Sequence, residues 1–586
     1  MERADKKKIA SHLEEMGTLL ELQGANPFKS RAFHNAARVL EGVTDDLGAL
    51  VEQGRLTEIK GIGKSIAEIV SDMVRTGTSA EYETLKKSLP PGLLEMLRIQ
   101  GLGPKRVKVL YEKLKIATID ALEAAAKSDR LAKLEGFGEK TQQNILAGID
   151  SLRHRAEKSL YPVAAGPAST MLTHIRGVRG VERAEVAGSL RRRKEVIGDI
   201  DIVVSAKDRD RERIMDAFVS HDLVGAVIAR GETKSSVTLE GGIQCDLRIV
   251  ADNEYPFALN YFTGSKEHNV ALRTRAKDFG WSLNEYGFSK LGDEGARGRT
   301  KAVVACREEA DIYKALKLAY VPPELREDLG EIEAAGKDAL PELIEESEIK
   351  GTFHCHTTAS DGVNTLEEMV RGAQEMGWEY LGIADHSKVA AYAGGLSVVK
   401  LKAQQKDIDA LNARLKKFRV FKGTECDILP DGSLDWPESV LATFDYVVVS
   451  VHSSFKMSEK DMTRRIVKAL QNKYVTMLGH PTGRLLLSRE AYPVDMLEVI
   501  QAAADYGKMI EINAHPMRLD LDWRLCRHAR DKGVMISINP DAHSVEGLRD
   551  VPFGVGVARK GWLRSGDVLN TRTASAVAKL LARRNT

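Results

Sequence analysis

Nothing in this chain of 586 residues calls for a membrane or an oxidising compartment. No apolar run approaches the roughly 18 residues of a membrane span. The opening MERADKKKIASHLEEM is charged and has no apolar centre, which argues against a secretory signal. Five cysteines, at 245, 306, 355, 426 and 526, form no Cys-x-x-Cys pair. That speaks against a disulfide framework or a cysteine-zinc cluster and fits a reducing cytoplasm. Charge of one sign is also scarce: 86 Lys and Arg face 84 Asp and Glu. A nucleic-acid partner is therefore allowed but not demanded. What is present is core-forming material, 43% hydrophobic beside 29% charged. At about 150 residues per domain the length predicts about four domains.

The texture changes along the chain. Up to about residue 160 it reads as helical. Short strands follow between 184 and 250 (EVAGSL, DIDIVV, SSVTLE, QCDLRIV). After 350, apolar runs such as YLGIAD, RVFKGTE, YVVVSVH, YVTMLGH, KMIEINAH and VMISINPDAH alternate with amphipathic stretches. That alternation predicts parallel βα units. Between the last two regions, residues 321–350 hold ten acidic and three basic residues behind Pro322-Pro323. This segment reads as a linker. The expected fold is thus multidomain α/β: a helical region, a small α+β core and a barrel-like C-terminal domain.

Three segments repeat one pattern: IKGIGKSIAEIV (59–70), IQGLGPKRVKVL (99–110) and LEGFGEKTQQNIL (134–146). Each has Gly-x-Gly (Gly61/Gly63, Gly101/Gly103, Gly136/Gly138), a basic residue and then an amphipathic stretch. The glycines permit a tight hairpin, and the following helix presents its first N–H groups and the positive end of its dipole to an anion. The repeats resemble the helix-hairpin-helix motif, which grips the DNA backbone without reading sequence.

The segment AGSLRRRKEVIGDIDIVVS carries Asp199 and Asp201 two apart on a predicted strand, so both face one side. Asp246 in IQCDLRIV can complete a carboxylate triad. Three crowded carboxylates suit Mg²⁺, and two such ions can clamp an in-line phosphoryl displacement. The pattern GS…GDIDIVV, with RGETKSSVTLEGGIQCDLRIV and NYFTGSKEHNVALRTRAKDFGWSLNEYGF downstream, resembles the family X DNA polymerases. The resemblance implies that Asp199, Asp201 and Asp246 hold the metals, with Asp246 as general base. It also implies that Ser189 and Arg192 contact the incoming triphosphate and that Tyr261 and Phe262 pack on its sugar. Gly264 then crowds the 2′ side, Asn269 lies at the minor groove of the new pair, and Arg273 meets the template strand. Members with deoxyribose-phosphate lyase activity have a lysine where this chain has Ile69.

Histidine placement is the remaining signal. His354 and His356 alternate on a predicted strand. Asp361, His386, Glu425, His452, His480, Asp541 and His543 follow, most at the C-terminal end of a predicted strand. In a βα barrel those ends converge on one mouth. A mixed imidazole-carboxylate set favours Mn²⁺, Zn²⁺ or Fe over Mg²⁺, and nine ligands suffice for up to three ions. Cys355, between two ligands, faces the other way. Arg484 and Lys388 are candidates for holding a phosphate. The array resembles the PHP (polymerase and histidinol phosphatase) domain, whose fold is a distorted (β/α)7 barrel.

Together the resemblances span nearly the whole chain and match the family X polymerases that carry a C-terminal PHP domain. They imply a helical N-terminal domain (1–88), fingers (89–158), palm (159–255), thumb (256–320), linker (321–348) and PHP domain (349–586). The implied function is gap filling in base-excision repair with a metal-dependent 3′→5′ exonuclease. The implied partners are gapped or primer-template DNA and deoxynucleoside triphosphates. No membrane is expected, and the expected state is a monomer in the cytoplasm at the nucleoid. Two other readings stay open: a small-molecule phosphatase in the PHP half, and a non-catalytic protein that bridges DNA ends.

Overall fold

The computed structural model describes residues 6–41, 47–59, 61–99, 102–134, 136–156, 158–292, 304–390 and 393–584. They form two compact units, residues 1–156 with 391–394, and the remainder. Gly101 lies outside the described residues.

The first unit is helical. One core gathers Leu13, Met16, Phe33, Leu40, Ile66, Ile69 and Val70; a second gathers Met96, Ile99, Val107, Leu110, Leu122 and Ile145. The stripe in Lys64–Thr76 that feeds the first core is Ile66, Ala67, Ile69, Val70 and Met73, at helical spacing. Ile69 is thus a core residue, 4% exposed.

In the second unit a five-stranded sheet runs in the order Val181–Val186, Asp199–Ala206, Gln244–Val250, Lys234–Leu239, Val224–Arg230. The first of these strands ends earlier than EVAGSL suggests: Gly188–Arg191 is helical. The central pair is parallel, with Asp201 opposite Asp246.

The C-terminal region is built on seven successive parallel strands. They are Gly351–Cys355, Tyr380–Ile383, Arg419–Lys422 running on to Glu425–Asp427, Val448–Ser450, Met477–Leu478, Met509–Asn513 and Ile536–Asn539. Bridges His386↔Glu425 and Cys355↔Ala542 carry the pairing around to a barrel. The strands are buried on both faces, as parallel strands covered by helices must be. Helices between them start where side chains accept the first orphan N–H groups: Thr365, Ser397, Ser458, Asp495 and Asp522.

The acidic segment expected to be a linker is instead packed. Val321, Leu325, Ile332, Ala335 and Leu343 share a core with Phe257, Leu272 and Ile312. Its charges are matched by partners distant in sequence. Arg326, fully buried, donates to Glu309 at 2.7 Å and to the Val321 carbonyl at 3.0 Å. Glu331, also fully buried, lies 2.6 Å from Nδ1 of His268 and accepts from the Asp328 and Leu329 amides. A buried charge is tolerated only when paired in this way.

Candidate active sites

On the palm sheet, the parallel register sets Asp201 beside Asp246, and period two adds Asp199 to the same face. Gly188 closes the site from behind. Its φ is +61°, and a Cβ there would stand 2.3 Å from Oδ2 of Asp201. Burial, then the charges of Asp199 and Asp246, raise the Asp201 carboxyl to about 7. Burial followed by Asp246 raises Asp199 as well. Asp246 goes the other way. Burial opposes its ionisation, but Lys234 at 2.6 Å and the Gln244 amide at 2.9 Å outweigh it and hold the carboxyl below its ordinary value. Repulsion of this kind between neighbouring carboxylates is what a divalent cation relieves, so the donor set fits Mg²⁺.

The other polymerase residues fall into two groups. Ser189 lies in the short helix Gly188–Arg191. Arg192 donates to the Thr263 carbonyl and, through Nε, to Glu327 at 3.0 Å. Its guanidinium lies 3.0 Å from where a Cβ on Gly264 would stand. Tyr261 and Phe262 meet edge to face at 5.1 Å, with the Arg248 guanidinium 4.3 Å over Phe262. Asn269, nearly buried, donates to the Tyr261 carbonyl at 2.7 Å, and exposed Arg273 donates to the Asn269 carbonyl. These last residues line one small cavity with Phe257, Asn260, Leu283 and Asn284. Lys234 escaped the sequence reading, which had no means of pairing it with Asp246 before the strand register was known.

In the hairpins, positive φ occurs at Gly61 (+108°) and Gly136 (+83°) but not at Gly63 or Gly103, whose φ values are −80° and −92°. The two glycines therefore do different work. The first turns the chain. Gly63 and Gly103 are extended N-caps of Lys64–Thr76 and Pro104–Leu114. No atom lies within 4 Å of a Cβ built on Gly63, Gly103, Gly136 or Gly138. Open space thus faces the helix starts, where a phosphate fits.

At the barrel mouth all nine expected ligands converge. Their ligand atoms form four overlapping groups, each within 4.8 Å: His356, Asp361, His386, His543; His354, Glu425, His480; His354, His356, Asp541; and His386, Glu425, His452. Glu425 is the hub, with an oxygen 2.9 Å from His480, 3.0 Å from His386, 3.2 Å from His452 and 3.3 Å from His354. Burial opposes its charge, yet His452, His354 and His386 hold its carboxyl far below the usual range. Nε2 of His354 and both ring nitrogens of His356 are buried without a well-aligned hydrogen-bond partner among the described residues. Orphaned imidazole nitrogens aimed at carboxylates are what a metal cluster leaves when its ions are removed, so the residues fit transition-metal ions.

The alternation expected for His354 and His356 is not what gathers them. His354 has φ +55°, and the pairing register slips between Thr352 and Cys355. This bulge turns both rings into the mouth, 5.3 Å apart. Cys355 is fully buried in the core, as expected.

A second set of side chains, missed in the sequence, orients the ligands. Glu511 accepts from Nδ1 of His354 at 2.6 Å, the His480 amide at 2.7 Å and Asn539 at 2.8 Å. Asp427 stands 3.1 Å from Nδ1 of His452. Such contacts fix ring orientation and raise ligand basicity. A carboxylate flanked by the isoleucines of the strand MIEIN was the available signal for Glu511. Arg484 is not free for a phosphate: it is bound to Asp522 at 2.6 Å and to the carbonyls of Arg518 and Leu519. Arg518, 3.3 Å from Asp541, is the arginine at the mouth.

Family models agree with this division. A helix-hairpin-helix domain matches residues 4–79, a SAM-like helix-hairpin-helix tandem 93–151, the DNA polymerase beta thumb 258–327 and the PHP domain 352–515. The "DNA polymerase/3′-5′ exonuclease PolX" of Bacillus subtilis is 37% identical over 580 residues, 99% of each chain. The C-terminal region alone resembles proteins named "Probable phosphatase". One from Thermoanaerobacter sp. is 28% identical over 37% of this chain and 89% of its own. One from Caldicellulosiruptor bescii is 32% identical over 32% of this chain and 78% of its own. Among the described residues no helix is long and apolar enough to cross a membrane.

Proposed function

Because the chain belongs to the family X DNA polymerases that carry a C-terminal PHP domain, we propose that it fills short gaps during base-excision repair and trims 3′ ends at its barrel mouth. It is a DNA-directed DNA polymerase with a 3′-5′ exonuclease. Its substrates are gapped or primer-template DNA and deoxynucleoside triphosphates, and it acts as a monomer in the cytoplasm, at the nucleoid. Its domains follow the boundaries given above, with residues 321–348 joined to the thumb.

The observation that carries the polymerase reading is the face shared by Asp199, Asp201 and Asp246 against Gly188. These three carboxylates would hold Mg²⁺, which when bound would neutralise charge on the transferring phosphate. Asp246, ionised at neutral pH, is placed to accept the proton of the primer 3′-hydroxyl. Ser189 and Arg192 orient the triphosphate. Tyr261 and Phe262 pack on its sugar, and the Gly264 backbone leaves no room for a 2′-hydroxyl. Asn269 and Arg273 follow the new base pair and the template. The helix starts at Gly61 to Gly63, Gly101 to Gly103 and Gly136 to Gly138 hold the DNA backbone.

At the barrel mouth the nine residues would hold up to three Mn²⁺ or Zn²⁺ ions, which when bound would polarise a phosphodiester. Glu511 and Asp427 keep His354 and His452 aimed at the cluster, and Arg518 attracts the phosphate. The likeness to proteins named as phosphatases supports phosphoester chemistry there; the hairpins upstream favour a DNA end over a small molecule.

The test is one preparation of His354→Ala with His356→Ala, assayed for gap filling in Mg²⁺ and for nuclease activity in Mn²⁺. The expected result is loss of the nuclease alone. Nuclease activity at wild-type level removes the barrel mouth as the hydrolytic centre.

A further inference from the structure

The nucleotide-binding loop of the palm is seated on the PHP domain, and one PHP lysine ties it there. Lys560 ends the helix Val551–Lys560 and is 1% exposed. Its ammonium donates to the carbonyl of Arg192 at 3.1 Å, to the carbonyl of Glu324 at 3.2 Å and to Oε1 of Glu327 at 2.5 Å. That same Glu327 oxygen accepts from Nε of Arg192 at 3.0 Å. Lys560 thus touches Arg192 twice, directly at its backbone and through Glu327 at its guanidinium. Burial brings the lysine down to about 8 against the pull of Glu327, so it remains a cation at neutral pH.

The rest of the loop is held by the same face. The ammonium of Lys560 sits 4.6 Å over the ring of Trp523, whose indole N–H donates to Glu195 at 3.1 Å. Arg524 reaches Glu195 at 3.3 Å. A Cβ on Gly556 would approach the Arg193 side chain to 3.2 Å, so this glycine lets the helix close on the loop. Arg192 and Glu195 are therefore held by side chains more than 300 positions away, none of them among the nine metal ligands.

We propose that Lys560 is a positioning residue for nucleotide addition: through Glu327 and the Arg192 backbone it holds the Arg192 guanidinium at the height of Gly264, where the incoming triphosphate is bound. This rests on the assignment of Arg192 to the triphosphate. The PHP domain then serves polymerisation by shape, whatever the state of its metals. A guanidinium displaced by about 1 Å forfeits much of its transition-state contact.

Steady-state gap filling with the full-length protein tests this. Lys560→Met should raise the KM for deoxynucleotide about tenfold, with the KM for gapped DNA and the Mn²⁺-dependent nuclease rate unchanged. Lys560→Arg should recover most of the loss, and adding Lys560→Met to Arg192→Ala should cost nothing further. An unchanged nucleotide KM in Lys560→Met, beside a raised one in Arg192→Ala, overturns the inference and keeps the Arg192 assignment. An unchanged KM in Arg192→Ala overturns that assignment and the inference with it. Additive effects in the double variant overturn the route through Arg192. Should Lys560→Met also lose the nuclease, Glu327→Gln breaks the same pair from the palm side and decides by the same readout.

Discussion

The substitution Gly188→Ala asks the most of the palm geometry. Gly188 has φ +61°, a region that costs an L-residue about 1–2 kcal/mol. The added methyl would also stand 2.3 Å from Oδ2 of Asp201, well inside contact distance. Neither atom has an easy retreat. Asp201 is pinned in the central strand by its register with Asp246, and its carbonyl accepts from the Ala187 amide at 2.8 Å. Overpacking of this kind costs a further 1–3 kcal/mol or so. The cheapest relief is rotation of the Asp201 carboxylate away from Asp246, which separates two metal ligands. A misplacement near 1 Å costs on the order of 100-fold in rate. Gap filling by Gly188→Ala should therefore fall about 100-fold in kcat and require more Mg²⁺, while the nuclease on the same preparation stays at its wild-type rate. Polymerisation within about threefold of wild type, at ordinary Mg²⁺, would refute the close approach of loop and carboxylate.

Asp246→Ala should abolish nucleotide addition and leave DNA binding nearly intact, since the hairpins lie in the other unit; normal extension by a folded variant would remove its role. Gly103→Leu should weaken binding to every sequence alike, by about tenfold, and lower the salt slope by roughly one. Gly103 has φ −92° and open space before it, so the fold should hold; a loss confined to one sequence contradicts a backbone-only contact. Glu309 supplies a pH dependence. Burial opposes its charge, but Arg326 and Arg191 bring its carboxyl down to about 2. Its pKa is lower folded than unfolded, so its stabilisation is full above about pH 4.5 and is lost as pH falls towards 2. Glu309→Gln should lower Tm at pH 7 and flatten the acid branch of Tm against pH; an unaltered acid branch contradicts the pairing.

Much of both centres was legible because motif residues sit at strand ends. Asp199 and Asp201 declared themselves by period two, and the histidine series by its recurrence after each apolar run. The signals failed where partners are remote. No local pattern pairs Lys234 with Asp246, Glu331 with His268, or Lys560 with Glu327. The acidic run at 321–350 read as a linker for that reason, although Arg326 and Glu331 are both fully buried. Alternation brought His354 and His356 to the right place by the wrong route, since it cannot report a bulge. The Gly-x-Gly pattern likewise predicted one role for two glycines that differ in φ.

The two centres also differ in their donors. On the palm, burial and then the like charges of Asp199 and Asp246 raise the Asp201 carboxyl to about 7. That carboxyl carries a proton part of the time near neutrality, and a divalent cation must displace it. A divalent cation binding there would compete with that proton. In the barrel, each carboxylate is already surrounded by imidazoles, with Glu425 within 3.3 Å of four histidines. Despite burial, neighbouring carboxylates raise His354 and His452, whereas burial lowers His386 and His480, and Glu511 and Asp427 hold the rings from behind. One centre offers carboxylate oxygens alone and the other adds imidazole nitrogens to its carboxylates, donor sets that suit different divalent ions.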